Sequence, residues 1–185
     1  MRQYLDELKV ILDEIQPAEV TEICNILYRA YCDGNTVFVF GNGGSASMAS
    51  HIVGDWAKET VPLESKKPFK VLSLTDNLPL ITAWANDEGY ENTFSGQMKN
   101  LISPGDVAFA LSTSGESTNI LNGLKLARQF GAITVGLTGR DGGKMKALLN
   151  AGVFVPSNNT QQIQNSHLVL LHWMFLEMKN RISSS

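Results

Sequence analysis

Five short apolar runs, none broken by a regular polar alternation, recur along this chain: Thr36 to Phe40, Lys70 to Leu74, Val107 to Leu111, Ile133 to Leu137 and Val153 to Val155. A strand with one solvated face alternates apolar and polar residues; a strand covered on both faces does not. The stretches between the runs carry helical spacing, at residues 46–58, 78–85, 93–101, 119–130, 144–149 and 160–180. Together these predict a three-layer α/β fold, a five-stranded parallel sheet flanked by helices. Ahead of the first run, Leu5, Leu8, Ile11, Leu12 and Ile15 predict one helix. Pro17 breaks it or starts a second, which runs to about Ala30 and is stopped by Asp33-Gly34-Asn35.

The 185 residues fit one domain, with a helical segment at 1–33 and an α/β core at 34–185 that ends in a long helix. No linker, repeat or low-complexity tract interrupts it. A formal charge of -3 without a basic run argues against nucleic-acid or membrane-surface binding. Cys24 and Cys32 lie two helical turns apart, about 12 Å, too far for a disulfide. They are expected to be reduced core thiols, which suits a cytoplasmic location. Neither a signal-like N-terminus nor a run long enough to span a membrane is present.

Ligands of parallel sheets bind beyond the carboxyl ends of the strands. After the first run comes Gly41-Asn42-Gly43-Gly44-Ser45, a turn whose N–H groups and following helix start favour an anion. A ligand-free strand-to-helix turn reads the same way. After the third run, Ser112-Thr113-Ser114-Gly115-Glu116-Ser117-Thr118 gathers five hydroxyls in seven residues. Capping the next helix needs one of them, so the loop is expected to cradle a phosphate. For Thr138-Gly139-Arg140-Asp141-Gly142-Gly143, a plain turn and a ligand contact are equally good readings. His51 and Asp55, four apart on one helix face, can share a metal ion or act as an acid–base pair, or form a surface ion pair. Gln164 and His172 are two turns apart on the last helix, about 12 Å. Spacing alone favours a buried, hydrogen-bonded His172 among Leu170, Leu171, Trp173 and Met174.

Taken together, Gly41-Asn42-Gly43-Gly44-Ser45-Ala46, Ala85-Asn86-Asp87-Glu88-Gly89-Tyr90, Ser112-Thr113-Ser114-Gly115, Thr138 to Gly143, and Ile163-Gln164 with His167 and His172 resemble the sugar isomerase (SIS) domain. Within it, the chain is similar to the phosphoheptose isomerases over nearly its whole length. The resemblance implies a flavodoxin-like sheet, N-terminal helices used for oligomerisation, and a homotetramer with sites between subunits. It implies a cytoplasmic aldose–ketose isomerase of the heptose pathway, converting sedoheptulose 7-phosphate through an enediol. It also implies one Zn²⁺ per subunit on His51, Asp55, Gln164 and His172, with Asp55 and His172 catalytic. The expected substrate contacts are Asn42, Gly43, Gly44, Ser45, Asp87, Ser112, Thr113, Ser114, Ser117 and Gln164, the serines holding the phosphate. Four positions depart from the family pattern. Asp55 replaces a Glu, Glu59 stands where Arg is common, Gln161 where Asp is common, and Glu116 where Asn or Lys is usual. Two alternatives remain open: another sugar phosphate as substrate, or a non-catalytic relative that binds a phosphosugar or a replication initiator. The non-catalytic relatives lack the second histidine of the last helix, which this chain keeps as His172.

Overall fold

The computed structural model describes residues 1–65 and 67–184. Helices α1 (Arg2–Glu14) and α2 (Pro17–Asp33) come first. Pro17 sits in the first turn of α2, where a missing N–H costs no intrahelical bond. Strands and helices then alternate: β1 (Val37–Gly41), α3 (Gly44–Glu59), β2 (Val71–Ser73), α4 (Leu78–Asp87), α5 (Thr93–Lys99), β3 (Val107–Ser112), α6 (Thr118–Gln129), β4 (Ile133–Gly139), β5 (Ala151–Val155) and α7 (Thr160–Ser183). All pairings are parallel, in the order β2-β1-β3-β4-β5. From β1 the chain moves outward to β2, then returns to β3 on the other side of β1. The winding direction therefore reverses between β1 and β3, and a crevice opens at their carboxyl ends.

Alternation along the strands sorts the core into two layers. Val37, Val39, Phe109 and Leu111 pack against α2, α3 and α7 through Ile23, Leu27, Ile52, Trp56, Leu171 and Met174. Phe38, Phe40, Ala108 and Ala110 face α5 and α6 through Phe94, Met98, Ile120 and Leu124. Both faces of β1 and β3 are buried, which is why their sequences read as unbroken apolar runs.

Three details differ from the sequence expectations. Residues 144–149 are not an α-helix: Gly143–Leu148 forms a 3₁₀ turn. The Met145 N–H donates to the Gly115 carbonyl at 3.0 Å, outside its own segment, which draws the chain off α geometry. A second 3₁₀ turn, Tyr90–Asn92, precedes α5. Cys24 is buried but Cys32 is exposed, so only one of the two is a core thiol.

Helix α1 buries only Ile11, which packs with Val155 and Ile163. Polar bonds tie it to the start of α7: Gln162 Nε2 donates to Glu7 at 2.8 Å, and Asn165 Nδ2 to the Tyr4 hydroxyl at 2.9 Å. Leu5 and Val10 remain exposed. Among the described residues, no helix is long and apolar enough to cross a membrane.

Candidate active site

The registers of β1 and β3 align Gly41 with Leu111, so the glycine turn and the hydroxyl loop leave the sheet side by side. Asn42 faces Asn119 of α6 across the crevice, and each amide donates to the other at 2.9 Å. The Tyr90 hydroxyl donates to the same Asn42 oxygen at 2.9 Å. Gly43 caps α3 and Gly44 opens it. Ser45 is buried, and its N–H closes the turn onto the Asn42 carbonyl at 3.0 Å. Asn42, Tyr90, Glu91, Ser117, Thr118 and Asn119 line a cavity of about 560 Å³.

Ser112 is buried, and its Oγ accepts the Gly115 N–H at 3.1 Å. Ser114 Oγ accepts the Glu116 N–H at 3.2 Å. In both cases the hydroxyl oxygen is fixed while its own proton stays available to donate. Ser117 is the N-cap residue of α6, yet its side chain makes no capping bond. Capping therefore does not account for the hydroxyls. They surround the start of a helix, where unpaired N–H groups and the helix dipole favour an anion. Thr113 contributes its carbonyl, which accepts the Gly139 N–H at 3.2 Å.

The second half of the site forms where α3 meets α7. His51 Nε2 and His172 Nε2 are 2.9 Å apart, and Asp55 Oδ2 lies 3.6 Å from the first and 3.9 Å from the second. The side chains are about half exposed, 50% for His51 and 46% for His172, with Asp55 at 31%. His172 is thus not the buried histidine that its apolar neighbours suggest. That place belongs to His167, which has no exposed surface. Burial pulls the His167 pKa down to about 4, against a smaller upward pull from the Thr138 backbone.

The three converging donors suit a zinc ion. Tetrahedral bonds of about 2.0–2.1 Å imply donor separations of roughly 3.3–3.4 Å, and the observed 2.9, 3.6 and 3.9 Å bracket that value. Two imidazoles and a carboxylate also match the three-ligand pattern that leaves one position open. All three donor atoms lie within 4.8 Å of one another. The Gln164 amide lies against Gly44, where a Cβ would come within 2.6 Å of Nε2. Gly44 precedes His51 by seven residues, about 10 Å along α3.

Asp87, at the end of α4, is exposed and accepts from Asn86 Nδ2 at 2.7 Å. It faces a separate cavity of about 230 Å³ beside Leu80, Trp84 and Glu88. Of the positions that depart from the family pattern, Glu59 pairs with Lys179 of α7 at 3.5 Å. Gln161 donates its N–H to the α7 cap residue Asn159 at 2.9 Å. Glu116 is bound to Lys144.

Sequence reasoning missed Asn119 and Tyr90, the partners of Asn42. A polar residue at a buried position in the first turn of α6 was the available signal for Asn119. It also passed over Ser73, Thr75 and Asp76 at the end of β2, which form a hydroxyl–carboxylate network with Ser50 of α3. The Ser-Leu-Thr-Asp run there carried the same polar signal as the other strand ends.

Comparison with known proteins agrees with this fold. Residues 3–139 match the SIS domain family. The chain is 40% identical over 170 residues to a phosphoheptose isomerase of Aquifex aeolicus, covering 90% of this chain and 86% of that protein. It is 38% identical over 175 residues to the phosphoheptose isomerase of Aliarcobacter butzleri, covering 95% and 90%. The solved phosphoheptose isomerase of Neisseria gonorrhoeae superposes with a TM-score of 0.86 at 28% identity, over 100% of this chain and 95% of that one. With fold, crevice and sequence in accord over nearly the full length, the chain belongs to the SIS-domain family, among the phosphoheptose isomerases.

Proposed function

We propose that this chain is an aldose–ketose isomerase that converts sedoheptulose 7-phosphate to glycero-manno-heptose 7-phosphate. The observation that carries the mechanism is the convergence of His51, Asp55 and His172, acid–base groups from two helices, one of them the helix that the glycine turn opens. The cluster lies about 10 Å along α3 from the glycine turn. An extended seven-carbon chain ending in phosphate spans a similar distance, on the order of 10 Å at ~1.5 Å per bond.

In this reading Ser112, Ser114 and Ser117 and the start of α6 hold the phosphate. Asn42, Gly43, Gly44, Ser45, Thr113 and Gln164 shape the sugar pocket, and Asp87, the further contact that family resemblance suggests, lines the cavity next to α4. The Asp55 carboxylate takes a proton from C1 of the ketose while His172 gives one to the carbonyl oxygen at C2, producing the enediol. Asp55 then returns a proton to C2 while the C1 hydroxyl passes its own back to His172, leaving the aldehyde and both groups as they began. Each proton moves between adjacent atoms, as general acid–base catalysis requires. In place of proton donation by His172, the alternative use of these groups is that His51, Asp55 and His172 would hold a zinc ion, with Gln164 the fourth ligand that family resemblance suggests. When bound, that ion supplies Lewis-acid stabilisation of developing oxygen charge.

Assembly belongs to the same reading. The whole chain acts as one SIS unit in the cytoplasm, and residues 1–33 help to build a homotetramer. Exposed Leu5 and Val10 on α1, and Val169, Trp173 and Leu176 on α7, offer apolar surface. Light scattering should report a tetramer at micromolar concentration, and a monomer would refute this part. For the reaction, the purified protein is incubated with sedoheptulose 7-phosphate and the aldose followed by NMR. Absence of product in the presence of Zn²⁺ would refute the assignment.

A further inference from the structure

The hydroxyl loop contains a carboxylate where anion binding would be better served by none. Glu116 lies two residues from Ser114 and one from Ser117. Its surroundings give it another task. Glu116 Oε1 accepts the Lys144 backbone N–H at 2.9 Å, and Lys144 Nζ lies 2.8 Å from Oε2. One lysine thus engages both carboxylate oxygens, once through its backbone and once through its side chain. The side-chain hydrogen bond from Lys144, followed by its backbone bond, pulls the Glu116 pKa below the usual carboxylate value. The carboxylate is therefore ionised at neutral pH and already matched by a cation.

Backbone contacts join the same two loops. The Gly139 N–H donates to the Thr113 carbonyl at 3.2 Å, and the Met145 N–H to the Gly115 carbonyl at 3.0 Å. The packing leaves no room for side chains. A Cβ on Gly115 would lie 2.1 Å from the Gly142 oxygen, and one on Gly143 would lie 2.6 Å from the Ser114 oxygen. Both glycines are also left-handed, at φ 64° and 54°. Within the hydroxyl loop, the Glu116 N–H is the donor that fixes Ser114 Oγ. Moving Glu116 therefore moves a phosphate ligand.

We propose that Glu116 and Lys144 are positioning residues for phosphate: they latch the hydroxyl loop to the glycine turn that follows β4 and hold the Ser114 and Ser117 hydroxyls in place to donate. The inference rests on the hydroxyl loop being the phosphate site. It also assigns a role to the turn Thr138 to Gly143, which buttresses the loop that binds. Both side chains are largely exposed, so their Coulomb attraction contributes little by itself. The geometry of two bonds to one carboxylate does the positioning.

The two possible roles of Glu116 predict opposite signs. If it were merely a nearby negative charge, removing it would tighten anion binding. A latch requires the reverse. Inorganic phosphate is titrated into the parent, Glu116→Ala and Lys144→Arg, and the amide resonances of residues 114–117 are followed by NMR. Glu116→Ala should weaken phosphate about three- to fivefold, the scale of one exposed ion pair. In that variant the backbone amides at positions 115 and 116 should exchange faster with solvent, while the remaining resonances stay in place. Lys144→Arg, which keeps the cation and the backbone donor, should remain within about twofold of the parent. Phosphate binding by Glu116→Ala equal to or tighter than the parent overturns the proposal, as does a parent whose loop resonances ignore phosphate. Turnover of sedoheptulose 7-phosphate by the parent is scored separately, so a failed isomerase assignment and a failed latch give different results.

Discussion

Acid should weaken this fold through one side chain, His167. The imidazole is fully buried, and burial lowers its pKa from 6.5 to about 4 against a smaller upward pull from the Thr138 backbone. Between those values the unfolded chain binds a proton that the folded chain refuses. Stability then rises with pH across the window and falls on acidification, by about 1.4 kcal/mol per pH unit. From pH 7 to pH 5 the loss from His167 alone comes to about 2 kcal/mol, a large fraction of a typical net stability. The contribution is complete above pH 6.5 and gone once pH falls through 4. Other groups titrate in the same range, so the measurement is a difference. Guanidinium unfolding is followed at pH 7, 6 and 5 for the parent and for His167→Leu, at one protomer concentration. The leucine removes the titrating group, and because the change with pH is compared within each protein, any fixed cost of the substitution cancels. The parent should lose about 2 kcal/mol more than the variant between pH 7 and pH 5. Parallel slopes in the two proteins would refute the reasoning, because His167 would then take up its proton equally in both states.

Three further outcomes follow from the site and the core. Ser114→Ala should raise KM for the sugar phosphate at least about tenfold, since a hydrogen bond to a charged group is worth about 1.5–3 kcal/mol; unchanged steady-state constants would place the cradle elsewhere. Asp55→Asn should abolish isomerisation with the circular dichroism spectrum intact, whereas Asp55→Glu should keep or improve activity, and equal turnover by both would remove Asp55 as the base. Iodoacetamide should label Cys32 in the native protein and spare Cys24, which is buried with its pKa pushed up to about 12; mass spectrometry of the labelled peptides reads the ratio, and equal labelling would contradict it.

The sheet was legible because β1 and β3 are buried on both faces, and that burial writes itself into the sequence as runs without alternation. Helix ends were legible where a residue with a single backbone preference marked them, as Pro17 and Gly34 do for α2. The turn at Gly143–Leu148 was not, because its geometry depends on the Met145 N–H finding Gly115, thirty residues earlier. Ser117 illustrates the limit for hydroxyls: sequence placed it correctly at the start of α6, but whether its side chain capped the helix was a question of rotamer.

Histidines on α7 show why site chemistry resists reading from one segment. His167 and His172 are five residues apart, and at about 100° per residue they project roughly 140° from each other around the helix. One must face the sheet if the other faces away. Neighbouring residues cannot say which, because apolar side chains surround both: Leu168 and Leu170 near the first, Leu171 and Met174 near the second. Packing of α7 beside α3 decides it. It sends His167 into the core, where protonation opposes folding, and sets His172 against His51, 121 residues earlier, where proton transfer is wanted. Replacing Glu by Asp at position 55 acts on this second arrangement alone. It shortens one donor by a methylene while both imidazoles stay fixed by their helices, so a change in activity at Asp55 should appear without a change in stability.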